Sequence, residues 1–233
     1  MISERKFSNS FSSFWNELLP TADSFVKRIN LSLRRYCLPT NSKLETNRDR
    51  RAVINELAFR FFMCLAKRKD LSMEDKVKLS IKVSKYIENF SPNIHIDLPI
   101  SEEELSEAES LVTSLSLYFL SSNINELIFW PTFKGCGKIH SCKGDIMDSG
   151  KLIEVKAGDR NFRIIDIRQV ITYLSLNFLS NQYAIENVVL LNPRKGLSFE
   201  TTVDFLIEGC SRRKPVDVFA DIIDFLSSEL LSK

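Results

Sequence analysis

The chain has 233 residues, 44% of them hydrophobic and 27% charged, with a net charge of +2. That balance suits an ordinary globular protein with one substantial core or two small ones, and it excludes collagenous and low-complexity architectures. No apolar run approaches the roughly 18–20 residues of a membrane span, and the charged start Met1 to Lys6 leads into no apolar run, so a cytoplasmic protein without a membrane partner or secretory leader is expected.

The five cysteines (Cys37, Cys64, Cys136, Cys142, Cys210) are odd in number and scattered, which fits a reducing compartment better than a disulfide framework. Charge is spread unevenly. Residues 1–100 carry 18 basic against 11 acidic side chains, and residues 101–233 carry 14 against 19. A basic front half is suited to a polyanion or an acidic partner, and an acidic back half to a metal. The plainer reading is a chance asymmetry on solvated helix faces.

Helical spacing dominates the front of the chain. Phe11 to Tyr36 reads as helix, broken and restarted at Pro20-Thr21-Ala22-Asp23. A polar loop, Pro39-Thr40-Asn41-Ser42, precedes an amphipathic segment from Arg50 to Lys69 with Val53, Leu57, Phe61, Cys64 and Leu65 on one stripe. Ser72-Met73-Glu74-Asp75 predicts a capped helix start, and Ser91-Pro92-Asn93 its end. Ser101-Glu102-Glu103-Glu104 is a capping-box start for a helix to about Leu120.

The pattern then changes. Leu127 to Trp130 is a short strand-like run stopped by Pro131, and a glycine-bearing loop (Gly135, Gly137) leads to Gly144-Asp145-Ile146-Met147. A turn at Asp148-Ser149-Gly150 feeds a strand from Lys151 to Lys156. Asp166 to Ser180 predicts a helix, Val188 to Leu191 a buried strand, Asn192 to Gly196 a turn, and Val216 to Leu231 a last helix. This order says α/β. Two domains are expected: a helical 1–95 and an α/β 96–233.

Residues i and i+2 of a strand share a face, so Glu154 and Lys156 project together, with Val155 turned toward the core. The turn folds Asp145 back beside them. Two carboxylates pushed together repel, and one takes up a proton unless a cation intervenes. Mg²⁺ (or Mn²⁺) suits the place: it takes oxygen ligands from one or two carboxylates and keeps several waters. Asp145 and Glu154 would be ligands, the Val155 carbonyl a further one, and Lys156 would hold or help deprotonate a water.

These residues resemble the PD-(D/E)XK nuclease superfamily. The likeness rests on Gly144-Asp145, Glu154-x-Lys156 and then Gln169-x-x-x-Tyr173 on the next helix, in the manner of the RecB-like and restriction-enzyme-like branches. It covers about residues 127–192, and Gly144 stands where the family name has proline. The resemblance implies a restriction-endonuclease-like core, with Asp145 and Glu154 as metal ligands, Lys156 as the catalytic lysine and Gln169 as an orienting residue; Tyr173 shares the Gln169 face. It also implies an acid from the preceding helix. Glu104 and Glu107 lie on the apolar side with Leu111 and Leu115, Glu109 lies opposite, and Glu107 is the first choice. The expected activity is Mg²⁺-dependent hydrolysis of DNA in a bacterial antiviral defence or restriction system. The chain would act as a homodimer or beside a sensor or ATPase subunit. The alternative is a nuclease-like binding or assembly subunit that does not cut.

Arg160, Arg163 and Arg168 flank the motif and could grip phosphates, with Tyr173 beside them, although Asp159 and Asp166 offer ion pairs. Glu154 and Lys156 could equally be an ordinary strand ion pair. Cys136-x₃-His140-x-Cys142 provides three soft ligands where structural zinc needs four, and His95 could join only by tertiary accident. Neither a nucleophile elbow nor a Walker lysine loop is present.

Overall fold

The computed structural model describes residues 1–40, 48–90 and 100–228. In chain order the helices and strands are α1 (Glu4–Asn9), α2 (Ser12–Leu18), α3 (Ala22–Leu31), β1 (Arg34–Arg35), α4 (Arg48–Ala66), α5 (Met73–Phe90) and α6 (Glu102–Tyr118). There follow β2 (Ile128–Phe129), β3 (Thr132–Phe133), β4 (Cys142–Lys143), β5 (Ile146–Asp148), β6 (Lys151–Val155), α7 (Ile164–Ser180), β7 (Asn187–Asn192), β8 (Leu197–Thr202), α8 (Val203–Ser211) and α9 (Pro215–Ser227). The expected loop residues Asn41 and Ser42, the helix stop Ser91 to Asn93, His95, and the last helix beyond Ser228 lie outside the described residues.

The fold is α/β: a six-stranded mixed sheet in the order β1-β8-β7-β6-β5-β2, flanked by helices, with a separate β3-β4 pair. β2 pairs antiparallel with β5 and β5 antiparallel with β6, whereas β6 and β7 are parallel, pairing Glu154 with Leu190 and Val155 with Leu191. The β5-β6 hairpin closes through Ser149 and Gly150, both at positive φ (44° and 82°). Such a two-residue turn twists as the strands do, and glycine enters its second position without strain.

The chain parts into two compact units, though not at the predicted 95/96 boundary. One comprises residues 1–34, 127–191 and 198–233; the other comprises 35–126 and 192–197. Burial explains the difference. Phe7, Trp15 and Phe25 of the first three helices are fully buried in the same apolar cluster as Leu152, Ile171 and Leu190 of the sheet unit. Helix α6 instead packs its Ala108 and Leu111 with Val53 and Leu57 of α4. Helical spacing showed which faces are apolar, but not which partner covers them. Residues 197–211, unassigned from the sequence, form β8 and α8, with the Thr202 hydroxyl accepting the Phe205 N–H at the helix start. Among the described residues no helix is long and apolar enough to cross a membrane.

In the helical unit the capping box at Ser101 forms as expected, with Glu104 reaching back to the Ser101 N–H. Glu104 and Glu107 do sit on the apolar face of α6, both buried. Each is held by arginine: Arg50 Nε donates to Glu104 Oε1 at 2.6 Å, and Arg194 donates to Glu107 Oε1. Arg194 also donates to Asn55 Oδ1 at 2.8 Å. Glu107 therefore belongs to an ion pair of the helical unit, and the expectation that it supplies a metal ligand is corrected. Removing one partner of a buried pair strands the other charge, at a cost of about 3–5 kcal/mol. Glu107→Ala should lower the unfolding free energy by that amount in urea titration followed by circular dichroism. A loss below about 1 kcal/mol, the value of an exposed pair, would contradict this role.

Candidate active site

The β5-β6 hairpin assembles the site. Asp145 precedes β5 by one residue, and its Oδ2 accepts the Val155 N–H at 2.7 Å, so the carboxylate is pulled across onto the end of β6. Trp130 N–H donates to Asp145 O at 2.9 Å and Gly144 N–H to Pro131 O at 3.0 Å, fixing the backbone on the other side. A side chain at Gly144 would meet Leu152 Cδ1 and Phe133 Cε2, each at 3.2 Å. That crowding accounts for glycine where the resembling family carries proline.

Glu154 and Lys156 share a face of the strand, as their spacing predicted. Lys156 Nζ lies 2.6 Å from Glu154 Oε1 and 2.7 Å from Gln169 Oε1. The Lys156 N–H donates to Leu191 O at 2.7 Å, which extends the parallel pairing past the end of β6. Gln169 Nε2 then donates to the Tyr173 hydroxyl at 2.8 Å, and that hydroxyl donates to Lys143 O at 3.1 Å. Donors and acceptors alternate without conflict along this line, which fixes the orientation of the Gln169 amide. Glu154 Oε2 is buried with no hydrogen-bond partner. A carboxylate oxygen left so is costly unless a cation or a donor arrives.

Electrostatics follow from this packing. Desolvation, and next the charge of Glu154, push the Asp145 carboxyl up to about 7, against the opposing pull of Lys156, the Val155 N–H and Arg5. Desolvation works to lower the Lys156 pKa, but Glu154, Asp145 and Asp166 outweigh it and raise it. Lys156 is thus an ammonium that donates. The expected part in deprotonating a water does not suit it in this arrangement.

Other expectations are redistributed. Val155 is only partly buried and lies outside the apolar cluster; its N–H holds Asp145. Tyr173 is corrected as a nucleic-acid contact: it is 1% exposed, stacks on Phe133 at 5.2 Å between centroids, and spends its hydroxyl inside. Arg160 is clamped on Asp166 through two bonds of 2.6 and 2.7 Å. Arg163 is exposed at the start of α7, where its N–H meets Asp166 Oδ2 at 2.8 Å. Arg168 lies over the Trp15 ring, 5.6 Å from its centroid, and donates to Asn16 Oδ1. Cys136 Sγ sits 3.6 Å from Ser227 Oγ. Among the described residues no three His, Cys, Asp or Glu side chains are gathered as a metal cage.

The sequence reading missed α1. The main chain of Ile2 pairs with the 138–140 loop, Phe7 is fully buried, and the Glu4 side chain is 16% exposed. The charge of Glu4 reaches Tyr173 and Cys142, which also feel Glu154. Only a short capped turn, Ser3 followed by Glu4, announced this helix. Nothing in it pointed to a motif some 140 residues away along the chain.

Because the folded Asp145 holds its proton more tightly than an ordinary aspartate, this group makes stability fall as pH rises from about 4 to about 7, and then level off. Asp145→Asn removes that penalty. In EDTA the variant should melt several degrees above the parent at pH 8, with the difference vanishing near pH 4. Parallel melting curves at both pH values would contradict the assignment. Compared with known proteins, the chain matches no family model, no curated protein and no solved structure.

Proposed function

We propose that the chain is a metal-dependent nuclease of the PD-(D/E)XK kind that hydrolyses DNA phosphodiester bonds. The observation that carries the reading is the convergence of Asp145, Glu154, Lys156 and Gln169, with one buried carboxylate oxygen unsatisfied and the other acid driven to hold a proton. An isolated ion pair of structural purpose needs neither feature. The mixed sheet with an antiparallel hairpin beside a parallel strand supports a restriction-endonuclease-like core as part of the same proposal.

The donor set suits Mg²⁺ or Mn²⁺: two carboxylates, Asp145 and Glu154, with the Val155 carbonyl as a further candidate and the remaining positions left to water and substrate phosphate. Once bound, the ion supplies a Lewis acid and lowers the pKa of water. The chain's own residues do the rest. Asp145 would release its proton to water on taking up the role of a ligand, and the Val155 N–H would keep the freed carboxylate aimed. Lys156 stays an ammonium and offsets charge that develops on the phosphate oxygens. Gln169, held by Tyr173, prevents that ammonium from swinging away. A role in bacterial antiviral defence or restriction, with a homodimer or a sensor or ATPase subunit as partner, belongs to the proposal by analogy with the resembling family.

The test is supercoiled plasmid incubated with Mg²⁺, Mn²⁺ or EDTA. The parent chain should cut with either metal and not in EDTA, while Asp145→Ala and Lys156→Ala fall by about 100-fold or more. Tyr173→Phe should lower the rate roughly tenfold by loosening Gln169, yet bind DNA like the parent. Cutting by Asp145→Ala or Lys156→Ala at the parent rate would overturn the reading. Binding of DNA without cutting by any variant would favour the alternative of a docking or assembly subunit.

A further inference from the structure

We propose that Arg5 is a substrate-binding residue whose guanidinium takes a non-bridging oxygen of a DNA backbone phosphate, so that α1 forms one wall of the groove leading to Asp145, Glu154 and Lys156. This rests on the nuclease reading and adds a residue from a part of the chain that the motif does not touch.

The geometry starts with how α1 is pinned. Ile2 N–H donates to Lys138 O at 2.7 Å and His140 N–H to Ile2 O at 3.0 Å, tying the helix start to the loop that runs through β4 into Asp145. Phe7 is fully buried, with Trp15 at 4.9 Å and Phe225 at 6.1 Å between ring centroids. Ser8 is buried too, its hydroxyl bonded to Glu4 O at 2.8 Å. Residues 4, 7 and 8 therefore face inward, at helical spacing. Arg5, one residue further round, keeps 79% of its side chain in solvent. Its closest carboxylate contact among the described residues is Glu4 Oε1 at 4.0 Å, the outer limit of an ion pair.

The Arg5 charge nevertheless belongs to the site. Desolvation, the largest single influence, works to lower its pKa, and the charges of Glu4, Glu154, Tyr173 and Asp145 together raise it. Three of the cations near the site are already engaged. Lys156 is spent on Glu154 and Gln169, and Arg160 on Asp166. Arg168 is 9% exposed and lies against Trp15. Arg5 combines an exposed fork of donors with a place in the field of both candidate ligand acids. A guanidinium of that kind matches phosphate geometry through two parallel bonds. Beside two carboxylates it also offsets the repulsion that an incoming polyanion meets.

The experiment uses the full chain as parent, Arg5→Ala, Arg5→Lys and, as an equal loss of exposed charge, Lys27→Ala. Two readouts are taken on a short fluorescent duplex: anisotropy in EDTA across a salt series, and cleavage kinetics in Mg²⁺. Arg5→Ala should weaken binding about tenfold and flatten the slope of log affinity against log salt by about one. It should raise KM with kcat nearly unchanged, and leave the melting temperature where it was. Arg5→Lys should recover part of the binding, because an ammonium keeps the charge but loses the fork. Lys27→Ala should behave as the parent. Equal affinity, salt slope and KM in Arg5→Ala and the parent would overturn the proposal, as would a parent that binds no duplex. A parent that binds through Arg5 but never cuts would leave this contact standing and bring down the nuclease reading alone.

Discussion

Two carboxylates and one ammonium share the end of the β5-β6 hairpin, and the sum of their charges governs everything around them. Lys156 can neutralise only one acid, and it chooses Glu154, 2.6 Å away. Asp145 is left in a poorly solvated place beside a negative neighbour, so it keeps a proton that an ordinary aspartate has lost. A divalent cation would reverse the balance, because both acids could then ionise. The stored imbalance is what makes the place a candidate metal centre rather than a strand-end ion pair.

The fold serves that balance by rigidity at each step. A two-residue turn fixes the hairpin register and so carries Asp145 to the end of β6, where its carboxylate takes the Val155 N–H; a slip of one residue would switch every side chain to the other face. The parallel partner β7 continues its pairing to Lys156 N–H, which keeps the lysine backbone from fraying. Helix α7 then delivers Gln169 and Tyr173 one turn apart, and the Tyr173 ring is wedged against Phe133. The hydrogen-bond line ends on a main-chain carbonyl, so its tension is borne by backbone and not by a mobile side chain.

Much of this was legible because the relevant periods are short. Glu154 and Lys156 follow a spacing of two, and Gln169 and Tyr173 a spacing of four; both survive any arrangement of the rest of the chain. The anomaly of Glu104 and Glu107 on an apolar helix face was legible as well. What the sequence could not say was that Arg50 and Arg194, the latter 87 residues after Glu107, would answer those acids. Helix α1 failed for the same reason: its contribution depends on a long-range docking that leaves no local trace. β8 is different, since Leu197 to Thr202 alternates in the manner of a half-buried strand and Thr202 is an ordinary helix cap. Its signal was present and local.

The buried acids of this one chain differ in how completely their oxygens are bonded. Glu104 receives an arginine fork and the Ser101 N–H, and Asp166 receives the Arg160 fork and the Arg163 N–H; in each, both oxygens are bonded. A planar guanidinium closes such a site, for it fills the two lone-pair directions that a metal would use. Glu154 receives a lysine instead. An ammonium is a point donor that occupies one oxygen, and Glu154 Oε2 is left buried and unbonded. Choosing lysine over arginine at position 156 therefore keeps one coordination direction open while still holding the acid in place without a cation. Arg160, within a few residues of the site, has its fork on Asp166.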